Sequence, residues 1–135
     1  MRSAVAFALV ASLGLLACKP PHRDVPAKDV PALGKLDDVM DVQATVADPW
    51  FGKLDATSFS DADFTSLADV GERIQATSAR TKAFSRGPGF DALADRLGGT
   101  AKQLGEAAAQ KDAKAATAAL AAMKATCKEC HSKFR

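Results

Sequence analysis

The chain has 135 residues, of which 47% are hydrophobic, and this length and composition are ordinary for one globular domain. Its 18 Lys and Arg residues and 16 Asp and Glu residues give a formal net charge of +2. This near-neutral balance argues against nucleic acid as a partner, because phosphate backbones are bound by clustered cations.

The first eighteen residues have the pattern of a bacterial export signal. Arg2 gives a basic start, and apolar and small residues then fill positions 4–17, a run too short to span a membrane as a helix. Residues 15–18 resemble a lipobox, in which cleavage precedes Cys18 and its thiol is acylated. An ordinary signal with a nearby cleavage site is the alternative, but Leu15 is larger than such a site prefers.

We therefore predict a lipoprotein signal peptide over residues 1–18 and a periplasmic protein anchored to a membrane through Cys18. The lipobox resemblance implies the outer membrane, because Lys19 rather than Asp follows the cysteine. Residues 19–30 contain three prolines and are predicted to form an extended tether. His22 lies in this tether, where a histidine is more often solvated than a metal ligand.

Residues 31–135 are predicted to form the folded domain, which begins with an amphipathic helix over residues 31–47. Apolar residues recur there every three or four positions. They are Leu33, Leu36, Met40, Ala44 and Ala47. Asp48 and Pro49 are predicted to end the helix. Trp50 and Phe51 then follow as aromatic residues that pack against one end of the domain.

Two further helices are predicted on either side of a clear break. Ser60 and Asp63 resemble a capping box that opens the second helix. Residues 85–89 contain two glycines and a proline, which continue neither a helix nor a strand. The third helix has apolar residues every three or four positions from Phe90 to Ala108.

The fourth helix follows a tight connection at Lys111 and Asp112. One face carries apolar residues and two thiols, namely Ala116, Leu120, Met123, Cys127, Cys130 and Phe134. Four amphipathic helices with mostly short loops and no strand pattern predict an all-α fold, an antiparallel four-helix bundle.

The sequence Cys127-Lys128-Glu129-Cys130-His131 matches the attachment motif of haem c. On a helix, Cys127 and Cys130 leave the same face, where both can form thioethers with the haem, and His131 can reach the iron from that face. A thioredoxin-like redox pair and half of a zinc site are the alternatives. The first needs a preceding strand and the second needs another pair of ligands, and neither is evident in the sequence.

The cysteine count agrees with one covalently bound haem c on the C-terminal helix. Lipid takes Cys18 and haem takes Cys127 and Cys130, so no disulfide is predicted. Only four residues follow His131, so we expect any ligand on the other side of the iron to come from upstream.

The ending Cys127-Lys128-Glu129-Cys130-His131-Ser132-Lys133-Phe134-Arg135 resembles the class II cytochromes c, the cytochrome c-prime-like family. The resemblance implies a haem inside the bundle, held by the fourth helix with its distal face toward the first. One branch of that family carries electrons with a methionine on the iron. The other leaves the iron five-coordinate behind a bulky apolar residue and binds small gases such as nitric oxide or carbon monoxide.

The resemblance places the distal ligand on the first helix, where Met40 is the methionine. Met1 is removed with the signal, and Met123 precedes Cys127 by one turn on the haem-bearing helix. We therefore predict His131 and Met40 as iron ligands in a single-electron carrier. The gas-binding branch is the alternative. Leu36 stands where the family often has an arginine that meets a haem propionate, and the adjacent Lys35 is the available substitute.

Partners are predicted from charge and from the same resemblance. Lys124, Lys128, Lys133 and Arg135 surround the motif and suit either an acidic redox partner or simple solvation near a helix C-terminus. Class II bundles are often dimers, so a homodimer is possible. Because the domain has no tyrosine and no histidine besides His131, no acid–base constellation beside the haem is evident, and we do not predict an enzyme.

Overall fold

The structure, a computed structural model, describes residues 24–135 and contains four long helices among them. They are α1 (Leu36–Phe51), α2 (Asp61–Thr81), α3 (Pro88–Ala109) and α4 (Ala113–Phe134). Short 3-10 helices precede α1 at Ala27–Ala32 and follow α2 at Lys82–Phe84. The described residues contain no strand, and the predicted antiparallel four-helix bundle is confirmed. The predictions for Cys18 and His22 lie outside the described residues.

Local sequence signals set where α2, α3 and α4 begin. The predicted capping box is present, since the Asp63 N–H donates to Ser60 Oγ at 3.1 Å and the Ser60 N–H donates to Asp63 Oδ2 at 3.0 Å. Pro88 opens α3 after Gly87, whose φ of 109° favours glycine. Asp112 caps α4 by accepting from the Ala115 N–H at 2.9 Å.

The predicted bounds of the first helix are wrong at both ends. Pro31 lies in the preceding 3-10 helix, and α1 begins only at Leu36 after an extended Lys35. Pro49 lies inside the last turn and does not end α1, because its fixed φ is helical and the neighbouring Trp50 is buried. Trp50 packs edge to face on Phe59, with ring centroids 6.1 Å apart.

The predicted tether is also wrong over its last four residues, 27–30. Val30 is fully buried and forms a second apolar cluster with Leu33, Val39 and Val42. The Arg80 Nε–H donates to the Leu33 carbonyl at 2.8 Å, which fixes this segment to α2. Burial of Val30 offsets the entropy of ordering the segment, which the proline content alone did not indicate.

The main core lies between α2, α3 and α4, with the C-terminal half of α1 closing it. Its fully buried members include Leu67, Leu104, Leu120 and Met123. The α2–α3 and α3–α4 contacts are extensive, whereas the α1–α4 contact is the sparsest of the four neighbouring pairs. The bundle is therefore open between α1 and α4. No helix among residues 24–135 is both long enough and apolar enough to cross a membrane.

Candidate haem site

A cavity of about 760 Å³ lies between α1 and α4. Its α4 wall carries Met123, Cys127, Cys130 and His131 from successive turns of one helix face. Both cysteines are half-buried and unbridged, and His131 is exposed. The helical spacing thus brings two thiols and one imidazole to a single wall, as the motif predicted.

The α1 wall of the cavity carries Met40, in the first half of that helix. Leu36, Ala44 and Ala47 lie on the same face of α1 and also line the cavity. The apolar face of α1 that the sequence predicts to point into the bundle therefore mainly lines the cavity. The buried stripe that packs into the bundle is a different one, formed by Val39, Val42, Val46 and Trp50 together with Ala47. The difference arises because α1 contacts α2 far more than α4.

Charged residues surround the cavity. Asp37, Asp41 and Asp48 lie along α1, while Lys124 and Lys128 lie on α4 and Arg135 directly follows it. The Lys124 ammonium donates to the Phe51 carbonyl at 3.3 Å and so joins α4 to the C-terminal end of α1. Arg86, in the α2–α3 loop, donates to the Phe134 carbonyl near the end of α4.

Burial controls the protonation of both thiols. It raises the pKa of Cys127 to about 11, with smaller contributions from Cys130 and Asp48. Burial also raises the pKa of Cys130, although the nearby Arg86 guanidinium opposes the increase. Both groups are therefore neutral thiols at pH 7 in the absence of the cofactor.

One residue of the cavity, Gln43, has a polar group without a hydrogen-bond partner. Gln43 lies on α1 one turn after Met40, is 8% exposed, and lines the cavity. Its Nε2 atom is buried and has no hydrogen-bond partner. A buried amide without a partner is destabilising, so this cavity suits a ligand whose binding places an acceptor within reach of Gln43.

The structure brings most of the sequence-predicted site residues together. Met40, Cys127, Cys130 and His131 all line the one cavity. Phe51 was predicted only to close an end of the domain, but it is half-buried and lines the same cavity. Sequence reasoning missed Arg86 and Gln43. Gln43 carried a usable signal, because it follows Met40 by three residues on a helix.

The fold and the cavity together define a class of protein. A helical bundle whose last helix places two thiols and an imidazole on the wall of a cofactor-sized cavity has the arrangement of a bundle-type c-type cytochrome. Comparison with protein families agrees, since the model described as Cytochrome C' matches residues 40–135. The chain belongs to the cytochrome c′ family. Searches of curated proteins and of solved structures found no match.

Membership of this family establishes the cofactor. It is one covalently attached haem c with its iron, and the protein is a monohaem c-type cytochrome. The residues of the cavity fit this group, because two thiols, an imidazole and mostly apolar walls surround a volume in the range of cofactor pockets.

Proposed function

We propose that this cytochrome is a single-electron carrier in which His131 and Met40 bind the iron from opposite sides. The observation that carries the proposal is that Met40 of α1 and His131 of α4 line one cavity from its two walls. Haem supplies the one-electron redox chemistry, and the chain determines its ligands, its solvent exposure and its orientation.

Three residues of α4 hold the cofactor in this proposal. The Cys127 and Cys130 thiols add across the two vinyl groups and form thioethers, and the His131 imidazole is the proximal ligand. His131 is exposed in the structure, while Cys127 packs against the main core. A thioether at the half-buried Cys127 would thus tie the haem to the side of α4 that packs against the core.

Met40 is the proposed distal ligand. A half-buried methionine is by itself more often core filler than a ligand. Its position on the cavity wall facing α4 supports ligation. Among the described residues, the only other thioether that lines this cavity belongs to Met123, and Met123 lies on α4 itself. A His/Met pair stabilises ferrous iron and excludes added ligands, which suits electron transfer.

The second candidate function is gas binding by a five-coordinate iron. Leu36 and Phe51 lie on α1 and line the cavity along with Met40, so bulky apolar groups are available on the distal wall. In that case Met40 is only part of the wall, and small gases such as nitric oxide or carbon monoxide reach the iron. We propose no catalytic residue for either function.

Absorption spectra of the holoprotein test the ligand assignment. In the parent we expect a low-spin ferric spectrum with a sulfur-to-iron charge-transfer band and no binding of carbon monoxide by the ferrous form. Met40→Leu is expected to abolish the band and to admit carbon monoxide. Met123→Leu is the matched control, since it replaces the other methionine of the cavity with little change in volume and is expected to keep the band.

A high-spin parent spectrum that responds to carbon monoxide and ignores Met40→Leu contradicts the electron carrier. That result favours the gas-binding function. A protein without covalent haem after expression with haem-maturation machinery excludes both.

The cellular setting is proposed from the sequence. The lipobox-like residues 15–18 support a lipid anchor at Cys18 and a location in the periplasm, at the outer membrane. The cations of α4 around the cavity support docking of an acidic redox protein, and self-association into a homodimer is a further proposal. Cys18→Ser is expected to move the holoprotein from the membrane to the soluble periplasmic fraction with an unchanged spectrum. Continued membrane retention contradicts the anchor.

A further inference from the structure

Gln43 stands out because it is buried and its amide nitrogen has no partner. A glutamine on a helix can satisfy its amide locally, as the Gln75 Nε2–H does by donating to the Gly71 carbonyl at 3.2 Å. The Gln43 Nε2–H makes no such bond. The residue is only 8% exposed and its Nε2 is fully enclosed, so water does not replace the missing partner. Such a group is retained at a cost in stability unless binding of the cofactor brings an acceptor within its reach.

The haem offers few atoms that can accept this bond. Its four ring nitrogens are bound to iron, so the acceptors are its two carboxylates and whatever group occupies the sixth iron position. Carboxylates are favoured next to cations and water. Arg86 and Lys128 are cationic, line the cavity and are exposed, so a carboxylate beside them has both a cation and water nearby. Gln43, in contrast, is buried. The position of Gln43 therefore suits the sixth-ligand side better than a carboxylate.

Helix geometry places Gln43 beside Met40. The two residues are three positions apart on α1 and both line the cavity. Long side chains on a helix point back toward its N-terminus and cover the preceding turn. We therefore expect the Gln43 amide to come within reach of Met40. A hydrogen bond between the two is not present in the structure, where Gln43 Nε2 has no partner, so it requires that haem binding fix the two side chains together.

We propose that Gln43 is a positioning residue that donates an N–H hydrogen bond to the sulfur of Met40. A thioether sulfur has two lone pairs, so one can bind iron while the other accepts a weak hydrogen bond. The bond fixes the orientation of the Met40 side chain and keeps it on the iron. This inference rests on the proposed function, because it requires Met40 as the ligand.

Displacement of Met40 by imidazole in the ferric holoprotein measures the effect. Gln43→Leu removes the donor at similar volume, and we expect imidazole to bind about two- to tenfold more tightly, the range of one neutral hydrogen bond. We also expect the charge-transfer band to move to longer wavelength, since the sulfur becomes a better electron donor. A purely structural role of Gln43 does not predict that shift.

Two controls separate this effect from general changes. Gln75→Leu makes the same chemical change on α2, outside the cavity, and is expected to alter neither quantity. In a Met40→Leu background, Gln43→Leu is expected to leave imidazole binding unchanged, because the acceptor sulfur is absent. If Gln43→Leu does not acquire haem, Gln43→Asn withdraws the amide by one methylene and is expected to act in the same direction.

Distinct results overturn this inference and the proposed function. Unchanged imidazole binding and an unmoved band in Gln43→Leu, with the band present in the parent, overturn the role of Gln43 alone. The same increase in imidazole affinity in the Met40→Leu background also overturns it. A parent without the band overturns the ligation by Met40 and with it the inference.

Discussion

At the scale of single residues, burial makes Cys127 a poor nucleophile in the folded chain before haem is attached. Its pKa is raised from 9.0 to about 11, so its thiolate fraction at pH 8 is about one hundredth of the ordinary value. Burial also raises the pKa of Cys130, but Arg86 counteracts this effect. Haem attachment is therefore expected to be faster on the unfolded chain than on the closed bundle.

Alkylation of the reduced apoprotein with iodoacetamide at pH 8 checks this expectation. We expect Cys130 to be labelled before Cys127, and both at similar rates in denaturant. The rate at Cys127 should rise as pH increases toward about 11, because only then does the folded thiol lose its proton. Faster labelling of Cys127 than of Cys130 in the folded state contradicts the burial argument.

At the scale of elements, the contact between α2 and α3 depends on Gly71. A Cβ atom added there meets the Ala101 carbonyl oxygen at 2.9 Å and the Gly105 backbone nitrogen at 3.0 Å. Backbone atoms cannot rotate away as a side chain can, so Gly71→Ala must separate the two helices. We expect a loss of about 1–3 kcal/mol in the free energy of unfolding, measured by urea denaturation of the holoprotein.

Gly99→Ala is the matched control for this prediction. Gly99 is an exposed residue inside α3, and an added Cβ there meets nothing within 4 Å. The substitution is expected to stabilise by up to about 1 kcal/mol, because alanine is the better helix former. Equal effects of the two substitutions would show that α2 and α3 do not approach closely at Gly71.

The four helices differ in how far their bounds can be predicted from the sequence. The helices α2, α3 and α4 have long apolar periods bounded by a capping box, a Gly-Pro pair and an Asp cap, and their local signals agree with their packing. The predicted bounds of α1 are wrong because the prolines Pro31 and Pro49 are local signals for its two limits, and neither limits the helix. Burial of Val30 and Trp50 outweighs those local signals, and burial depends on contacts that a single sequence does not specify.

The site was predictable to the extent that its residues are neighbours in the chain. Cys127, Cys130 and His131 form one contiguous motif, so helix geometry alone places them together. Met40 required the family resemblance to relate the first helix to the last. Arg86 and Gln43 were missed, because their places depend on how a loop and α1 pack relative to α4.

At the scale of the whole molecule, the folded body extends further toward the N-terminus than predicted. The segment before α1 is held on α2 by the Arg80 contact with Leu33 and by an ion pair of Arg73 with Asp24. If Cys18 carries the lipid, five residues lie between it and Asp24, and the six Cα–Cα steps from one to the other span at most about 20 Å when extended. The proposed anchor therefore keeps the haem domain close to the membrane surface.

Val30→Ala tests whether residues 27–30 belong to the folded body. Val30 is fully buried against Leu33, Val39 and Val42, so removing two methyl groups is expected to lower the free energy of unfolding by about 2 kcal/mol. The exposed Lys28 on the same 3-10 helix provides the control, since Lys28→Ala is expected to change stability by less than about 0.5 kcal/mol. Urea denaturation of the holoprotein measures both. If the two substitutions are equally silent, these residues behave as a solvated tether, and the packing of Val30 does not contribute to the stability of the bundle.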